Sequence, residues 1–142
     1  MPNSSETMGA IRVKVKLTNA IDEGMVSRGV LAPRHLRQVE GEALVDTGAL
    51  TLVIPPAIAQ ALGLNIRGRQ IARFANGAEQ AVEISEPVMI ECEGRSATVQ
   101  ALIMGDEILI GQVVLELMDF LADCKNQRLI PAHPDYPIAM IK

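Results

Sequence analysis

The sequence predicts an all-β domain, a sandwich or closed barrel, with one or two short helices. Three observations predict it. Short apolar or alternating runs recur along the 142-residue chain. Turn-forming pairs separate them, at Asn76-Gly77, Glu93-Gly94 and Asn126-Gln127. Helical patterns are confined to two places, after Pro55-Pro56 and after Gly111.

Residues 1–9 are polar, carry no apolar signal core, and read as a flexible tail before one domain spanning 10–142. Ile11 to Leu17 alternates apolar and charged residues, as a strand with one wet face does. Ala20 to Gly29 reads as turn-rich. Val39 to Val45 is a strand, and Leu50 to Ile54 a short buried one. Pro55-Pro56 opens a helix over Ala57 to Leu62, because proline suits a first helical turn, and Gly63 stops it. Gln70 to Phe74 and Glu79 to Ile84 flank Ala75-Asn76-Gly77-Ala78, a hairpin in which both central residues tolerate positive φ. Val88 to Cys92 and Ala97 to Ile103 form a second hairpin around Glu93-Gly94. Asp106-Glu107 is the turn before a buried strand, Ile108 to Ile110. The apolar spacing from Val113 to Leu121 suits a largely buried helix. Strands flank Asn126-Gln127, and Ile138 to Ile141 is a final edge strand.

Composition narrows the function. Hydrophobic residues make up 49% and charged residues 21%, which suits a folded core. A net charge of −4 and only three aromatics (Phe74, Phe120, Tyr136) disfavour nucleic acid as a partner. Arg28, Arg34, His35 and Arg37 are flanked by acids and read as a solvated loop. The uncharged run from Thr47 to Ile66 is long enough to span a bilayer. Pro55-Pro56 breaks it, so a strand–turn–helix passage is expected and no membrane partner. Cys92 and Cys124 lie far apart, and His35 and His133 lack ligand spacing. The expectation is no metal, no cofactor, and reduced thiols in a cytoplasmic protein.

The chemistry concentrates in Ala43-Leu44-Val45-Asp46-Thr47-Gly48-Ala49, which occurs once. An apolar strand delivers a carboxylate into a tight turn. Asp and Gly are also ordinary turn residues, so Asp46 has two readings, a turn cap or a catalytic acid. As a catalyst it needs a second carboxylate, one ionised and one protonated. The chain holds no second Asp-Thr-Gly or Asp-Ser-Gly, so the simplest source is another copy across a two-fold axis. Leu109-Ile110-Gly111 echoes the turn weakly, since each is followed by apolar residues and a helix.

These residues resemble the retropepsin-like aspartic proteases, the single-lobed relatives of pepsin, and among them the small bacterial and archaeal members. Three motifs match in order over roughly residues 11–130: the Asp46-Thr47-Gly48-Ala49 turn, the Asn76-Gly77 hairpin at the place of the family's flap, and Ile108-Leu109-Ile110-Gly111 before a helix. The resemblance implies a single-lobe closed barrel and a homodimeric aspartic endopeptidase that cleaves an extended peptide. Asp46 and its symmetry mate would activate water, Thr47 would hydrogen-bond across the axis, and Gly48 would admit substrate backbone. Ala49, Leu50, Phe74, Ala75, Asn76, Gly77, Ala78, Ile108 and Ile110 would line the substrate cleft. Without the resemblance Thr47 is a β-branched strand residue, the hairpin a surface turn, and Leu50, Ile108 and Ile110 simply core. The resemblance also implies that the terminal strands, Ile11 to Leu17 and Ile138 to Ile141, zip two copies together. The pattern departs in one respect. Leu50 and Gln112 stand where retroviral members carry an acid and an arginine, so that dimer-supporting ion pair is absent. A non-catalytic binding module on the same fold is therefore the alternative, and a β domain whose purpose is its dimer is a third reading.

Overall fold

The computed structural model describes residues 10–135. The expected tail 1–9 and the expected edge strand Ile138 to Ile141 lie outside the described residues. The strands are β1 (Arg12–Asn19), β2 (Gln38–Val45), β3 (Leu52–Ile54), β4 (Ile66–Arg73), β5 (Glu79–Cys92), β6 (Arg95–Ile103), β7 (Ile108–Ile110), β8 (Phe120–Asp123) and β9 (Arg128–Pro131). The helices are α1 (Ala20–Ser27), α2 (Pro56–Ala61) and α3 (Gln112–Met118), with a 3-10 turn at Pro33–His35.

Six strands close into a ring in the order β1-β2-β7-β3-β6-β5, and β5 pairs back onto β1. Closure leaves few free edges. β4 hangs outside the ring on β5, and β8–β9 form a separate hairpin. The core is aliphatic, as the scarcity of aromatics requires. Leu17, Leu52, Ile54, Ile90, Leu115 and Met118 are fully buried, with Phe120 at the margin.

The expected all-β barrel with few helices is what forms, and three local readings need correction. Ala20 to Gly29 is a helix to Ser27, because Asn19 caps it. The Asn19 side-chain oxygen accepts from Asp22 N at 3.0 Å, and its amide donates to the Leu62 carbonyl at 2.8 Å. Val88 to Cys92 and Glu79 to Ile84 are one continuous strand. A bulge between Ile84 and Pro87 absorbs the proline, and the Ser85 hydroxyl there accepts from Ala101 N at 3.1 Å. The helix after Gly111 stops at Met118 because Asp119 takes a left-handed conformation (φ 59°), and Phe120-Leu121 then enters β8. Arg95 holds that cap by donating to the Asp119 carbonyl at 2.8 Å.

Arg37 lies in an exposed loop, as expected, and there it makes an ion pair with a partner distant in the chain. Its guanidinium clasps Asp22 with two bonds, Nε to Oδ2 at 2.8 Å and Nη2 to Oδ1 at 2.9 Å. Asp22 is 2% exposed, so this fork-to-fork pair ties α1 to the start of β2. The guanidinium also packs over Gly63, which sits at φ 62°, a conformation that side chains rarely adopt. The Arg37 bonds hold the Asp22 carboxyl below its ordinary range. The lowered folded-state value makes its contribution present above the unfolded pKa of about 4 and lost as pH falls through the folded value. Arg37→Ala is expected to cost about 2 kcal/mol at neutral pH, since Asp22 keeps one bond from the backbone N–H of residue 37. Urea midpoints measured from pH 7 downward should fall in the natural protein and fall less steeply in the variant.

Cys92 and Cys124 are free thiols. Burial, with Glu93 adjacent, pushes the Cys92 thiol up to about 11. Among the described residues no helix is long and apolar enough to cross a membrane.

Candidate active site

β2 runs parallel to β7, with Ala43, Leu44 and Val45 beside Ile108, Leu109 and Ile110. Their side chains drive both strands into the barrel, and the chain leaves β2 at Asp46. The Asp46 N–H donates to the Ile110 carbonyl at 2.9 Å, so the β7 end fixes where the acid emerges. The turn then closes on itself. Ala49 N donates to the Asp46 carbonyl at 3.0 Å, and Gly48 N donates to the Asp46 carboxylate at 3.0 Å. A Cβ on Gly48 would stand 3.2 Å from that same oxygen, so the glycine leaves the carboxylate its room. Asp46 is half-buried, and Thr47 and Gly48 are exposed in the single chain.

Helix α3 holds the turn from behind. Its leading N–H groups have no intrahelical acceptor. They go instead to the segment after Asp46: Gly111 N to the Thr51 carbonyl at 3.0 Å, Gln112 N to Ala49 at 2.9 Å, and Val113 N to Leu50 at 2.9 Å. Gly111 permits this approach. A Cβ there would lie 2.6 Å from the Ala49 carbonyl oxygen and closer still to that of Thr51. The strand pairing ends with Val45 beside Ile110, so the Asp46 turn and Gly111 follow from neighbouring positions.

The hairpin of β4 and β5 carries its tip at Ala75-Asn76-Gly77. Phe74 N donates to the Ala78 carbonyl at 2.8 Å, and Gly77 N to the Phe74 carbonyl at 2.9 Å. Only Gly77 takes positive φ, at 86°, so this is a three-residue loop ending in a glycine bulge and not a two-residue turn. The two-residue turn with both residues left-handed is at Glu93 (φ 49°) and Gly94 (φ 82°). The residues Ala75 to Ala78 are exposed, and an ion pair of Arg73 with Glu79 at 2.7 Å closes the base of the tip.

The structure thus gathers Asp46, Thr47, Gly48, Ala49 and Leu50 in one turn, with Leu50 68% exposed. It does not bring the side chains of Ile108 and Ile110 to a cleft wall. Both lie in the core, at 5% and 0% exposure, because β7 is flanked by β2 and β3 inside the ring. A hollow of about 350 Å³ instead joins Leu50 and Thr51 to Gln70, Ile84 and the β6 residues Val99, Gln100 and Leu102. Sequence reasoning missed these partners. Their signal was alternation along β4, β5 and β6, which says that a residue faces outward but not which strand it meets. A wider cleft of about 830 Å³, between Lys14, Glu40 and the Glu93-Gly94 turn, contains none of the residues of the Asp46 turn. Among the described residues no group of His, Cys, Asp or Glu is arranged to hold a metal ion.

Chemically, the turn presents one half-buried carboxylate that accepts from the Gly48 N–H, beside the exposed Thr47 and Gly48. Residues 35–117 match the family model described as "gag-polyprotein putative aspartyl protease". The chain belongs to this aspartyl protease family. The matched stretch holds the Asp46 turn, the whole β4–β5 hairpin and Gly111 with the first part of α3. Among solved structures, the solution structure of simian foamy virus (mac) protease is similar at 14% identity with a TM-score of 0.46, over 73% of this chain and 90% of that one. No curated protein matches the chain in sequence.

Proposed function

We propose that this aspartyl protease family member is an endopeptidase that works as a homodimer, with Asp46 of each copy facing its mate across a two-fold axis. The observation that carries the reading is the anchored turn. Asp46 is gripped by Gly48 N and by the β7 end, yet stands only half-buried beside the exposed Thr47 and Gly48, and each chain supplies one such acid. Amide hydrolysis without a covalent intermediate needs a base to activate water and an acid to protonate the carbonyl oxygen. Two facing carboxylates that share one proton supply both. The handing-over of that proton between identical side chains requires no other titratable group.

An extended peptide suits the surroundings, because main-chain bonding to strand edges gives affinity and alternate side chains meet pockets. The hairpin tip from Phe74 to Ala78 would close over it and exclude water. The narrower likeness to small bacterial and archaeal members rests on motif order alone. The catalytically silent binding module is favoured by one observation. Gln112 spends its side chain on Glu116 within α3, at 3.2 Å, and Leu50 points to solvent, so neither makes an ion pair behind the turn.

The test is cleavage of a mixed peptide library with and without pepstatin, a transition-state mimic for aspartic proteases. Cleavage that pepstatin blocks, with a bell-shaped pH profile on the acid side of neutral, is the expected result. Peptide binding with no cleavage at any pH would replace this reading by the binding module.

A further inference from the structure

A buried charged cluster sits at the other end of α3 from the Asp46 turn. Arg95 opens β6 directly after the Glu93-Gly94 turn, and its side chain is only 9% exposed. Its Nη1 donates to the Met118 carbonyl at 3.2 Å and to the Asp119 carbonyl at 2.8 Å, at the last residue of the helix and its cap. An α-helix leaves the carbonyls at this end without internal donors. A cation there also suits the helix dipole. The Asp119 carboxylate, 3.4 Å away, supplies the counter-charge that a buried guanidinium requires. The cluster reaches beyond α3. Arg95 Nη2 donates to the His133 carbonyl, His133 Nδ1 lies 2.7 Å from Asp119 Oδ2, and the guanidinium stands 5.3 Å from the centre of the Phe120 ring. The β8–β9 hairpin forms a sheet of its own, and here a barrel strand grips the segments at both of its ends.

We infer that Arg95 is a positioning residue for the Asp46 turn and acts on it through α3. The inference rests on the endopeptidase reading and deepens it. α3 has seven residues, so it is about 10 Å long. Its leading N–H groups hold the carbonyls of Ala49, Leu50 and Thr51, and Arg95 holds the carbonyls at its other end. Between the two ends Val114, Leu115 and Met118 are buried in a close-packed core, so the helix shifts as a body. Loss of the Arg95 bonds frees the C-terminal end, and the displacement reaches the Asp46 turn one helix length away. A carboxylate that must meet its mate tolerates little displacement, because proton sharing and water activation need close, aligned contact. Arginine suits this task better than lysine. One planar guanidinium serves the carbonyls of Met118, Asp119 and His133 and lies over Phe120, where an ammonium has neither the fork nor the flat face.

Arg95→Gln and Arg95→Lys would be compared with Val88→Ala, a core deletion on β5 that leaves the cluster intact. Each protein is assayed well below its melting temperature, with activity divided by the folded fraction. Arg95→Gln should lower kcat about tenfold with KM nearly unchanged, since the peptide-binding surface keeps its residues and the acid loses its alignment. Arg95→Lys keeps the charge beside Asp119 and should recover part of that loss. Val88→Ala should melt lower and keep its kcat. The amide resonances of Gly48 and Ala49 give a readout that needs no cleavage. They should move in Arg95→Gln, move less in Arg95→Lys, and stay in place in Val88→Ala. If Arg95→Gln does not fold, Arg95→Lys carries the test. Unmoved Gly48 and Ala49 resonances in the folded Arg95 variants, full kcat in them, or an equal loss in Val88→Ala would overturn the inference. If the natural protein cleaves no peptide, the endopeptidase reading fails, and the coupling of Arg95 to the turn is decided by those two resonances alone.

Discussion

Asp46→Asn is expected to abolish peptide cleavage, by about ten-thousand-fold or more, while the protein stays folded. The size of the loss follows from the symmetry. In a homodimer one substitution removes both carboxylates, and an amide can neither take a proton from water nor give one to the carbonyl. The survival of the fold follows from the turn. Gly48 N donates to the side-chain oxygen of residue 46, and the asparagine amide oxygen accepts the same bond. Ile110 and Ala49 meet only backbone atoms of residue 46, which the substitution leaves alone. A mixing experiment separates a shared site from an independent one. With equal amounts of natural and variant chains at full exchange, about one quarter of dimers carry two acids, and activity per natural chain should fall by about half. Activity that simply follows the amount of natural chain would mean that each copy works alone, and full activity in purified Asp46→Asn would remove this residue from the chemistry.

The sequence made the barrel legible because its strands are marked by alternation and by turn pairs that behave as expected at Glu93-Gly94 and Asn126-Gln127. It made the Asp46 turn legible because an apolar strand running into Asp-Thr-Gly is uncommon and local. What stayed hidden depended on partners distant in the chain. Arg37 reads as one of four basic residues in a loop until α1 brings Asp22 to it, and α1 itself was masked by Gly24 and by a cap, Asn19, whose amide also serves α2. Phe120 and Leu121 extend the helical spacing of α3, yet Arg95 from β6 stabilises Asp119 in a left-handed cap and turns the chain into β8. Ile108 and Ile110 look like cleft walls beside Gly111. Their burial follows from β7 lying between β2 and β3, a strand order that no local pattern encodes.

That same crossing makes Gly111→Ala the second substitution of large effect. Its target is a packing contact and not an acid. The added methyl would stand 2.6 Å from the Ala49 carbonyl oxygen and 2.7 Å from the Leu50 carbonyl carbon, well inside contact distance. These are backbone atoms, so no side-chain rotation relieves the clash. Either α3 withdraws from the turn or the turn moves away from α3, and both outcomes break the bonds from residues 111, 112 and 113 to Thr51, Ala49 and Leu50. Overpacking of this kind costs about 3 kcal/mol. The melting temperature should drop by about 10 °C for a domain of this size. If the turn yields first, Asp46 is displaced as well, because its N–H is held by Ile110, the residue immediately before Gly111. Activity should then fall more than the folded fraction does at a temperature where the variant is still native. An unchanged melting temperature would show that α3 and the Asp46 turn are not locked together as the hydrogen bonds imply. A loss of stability with full activity per folded molecule would show that the helix yields and the acid keeps its place.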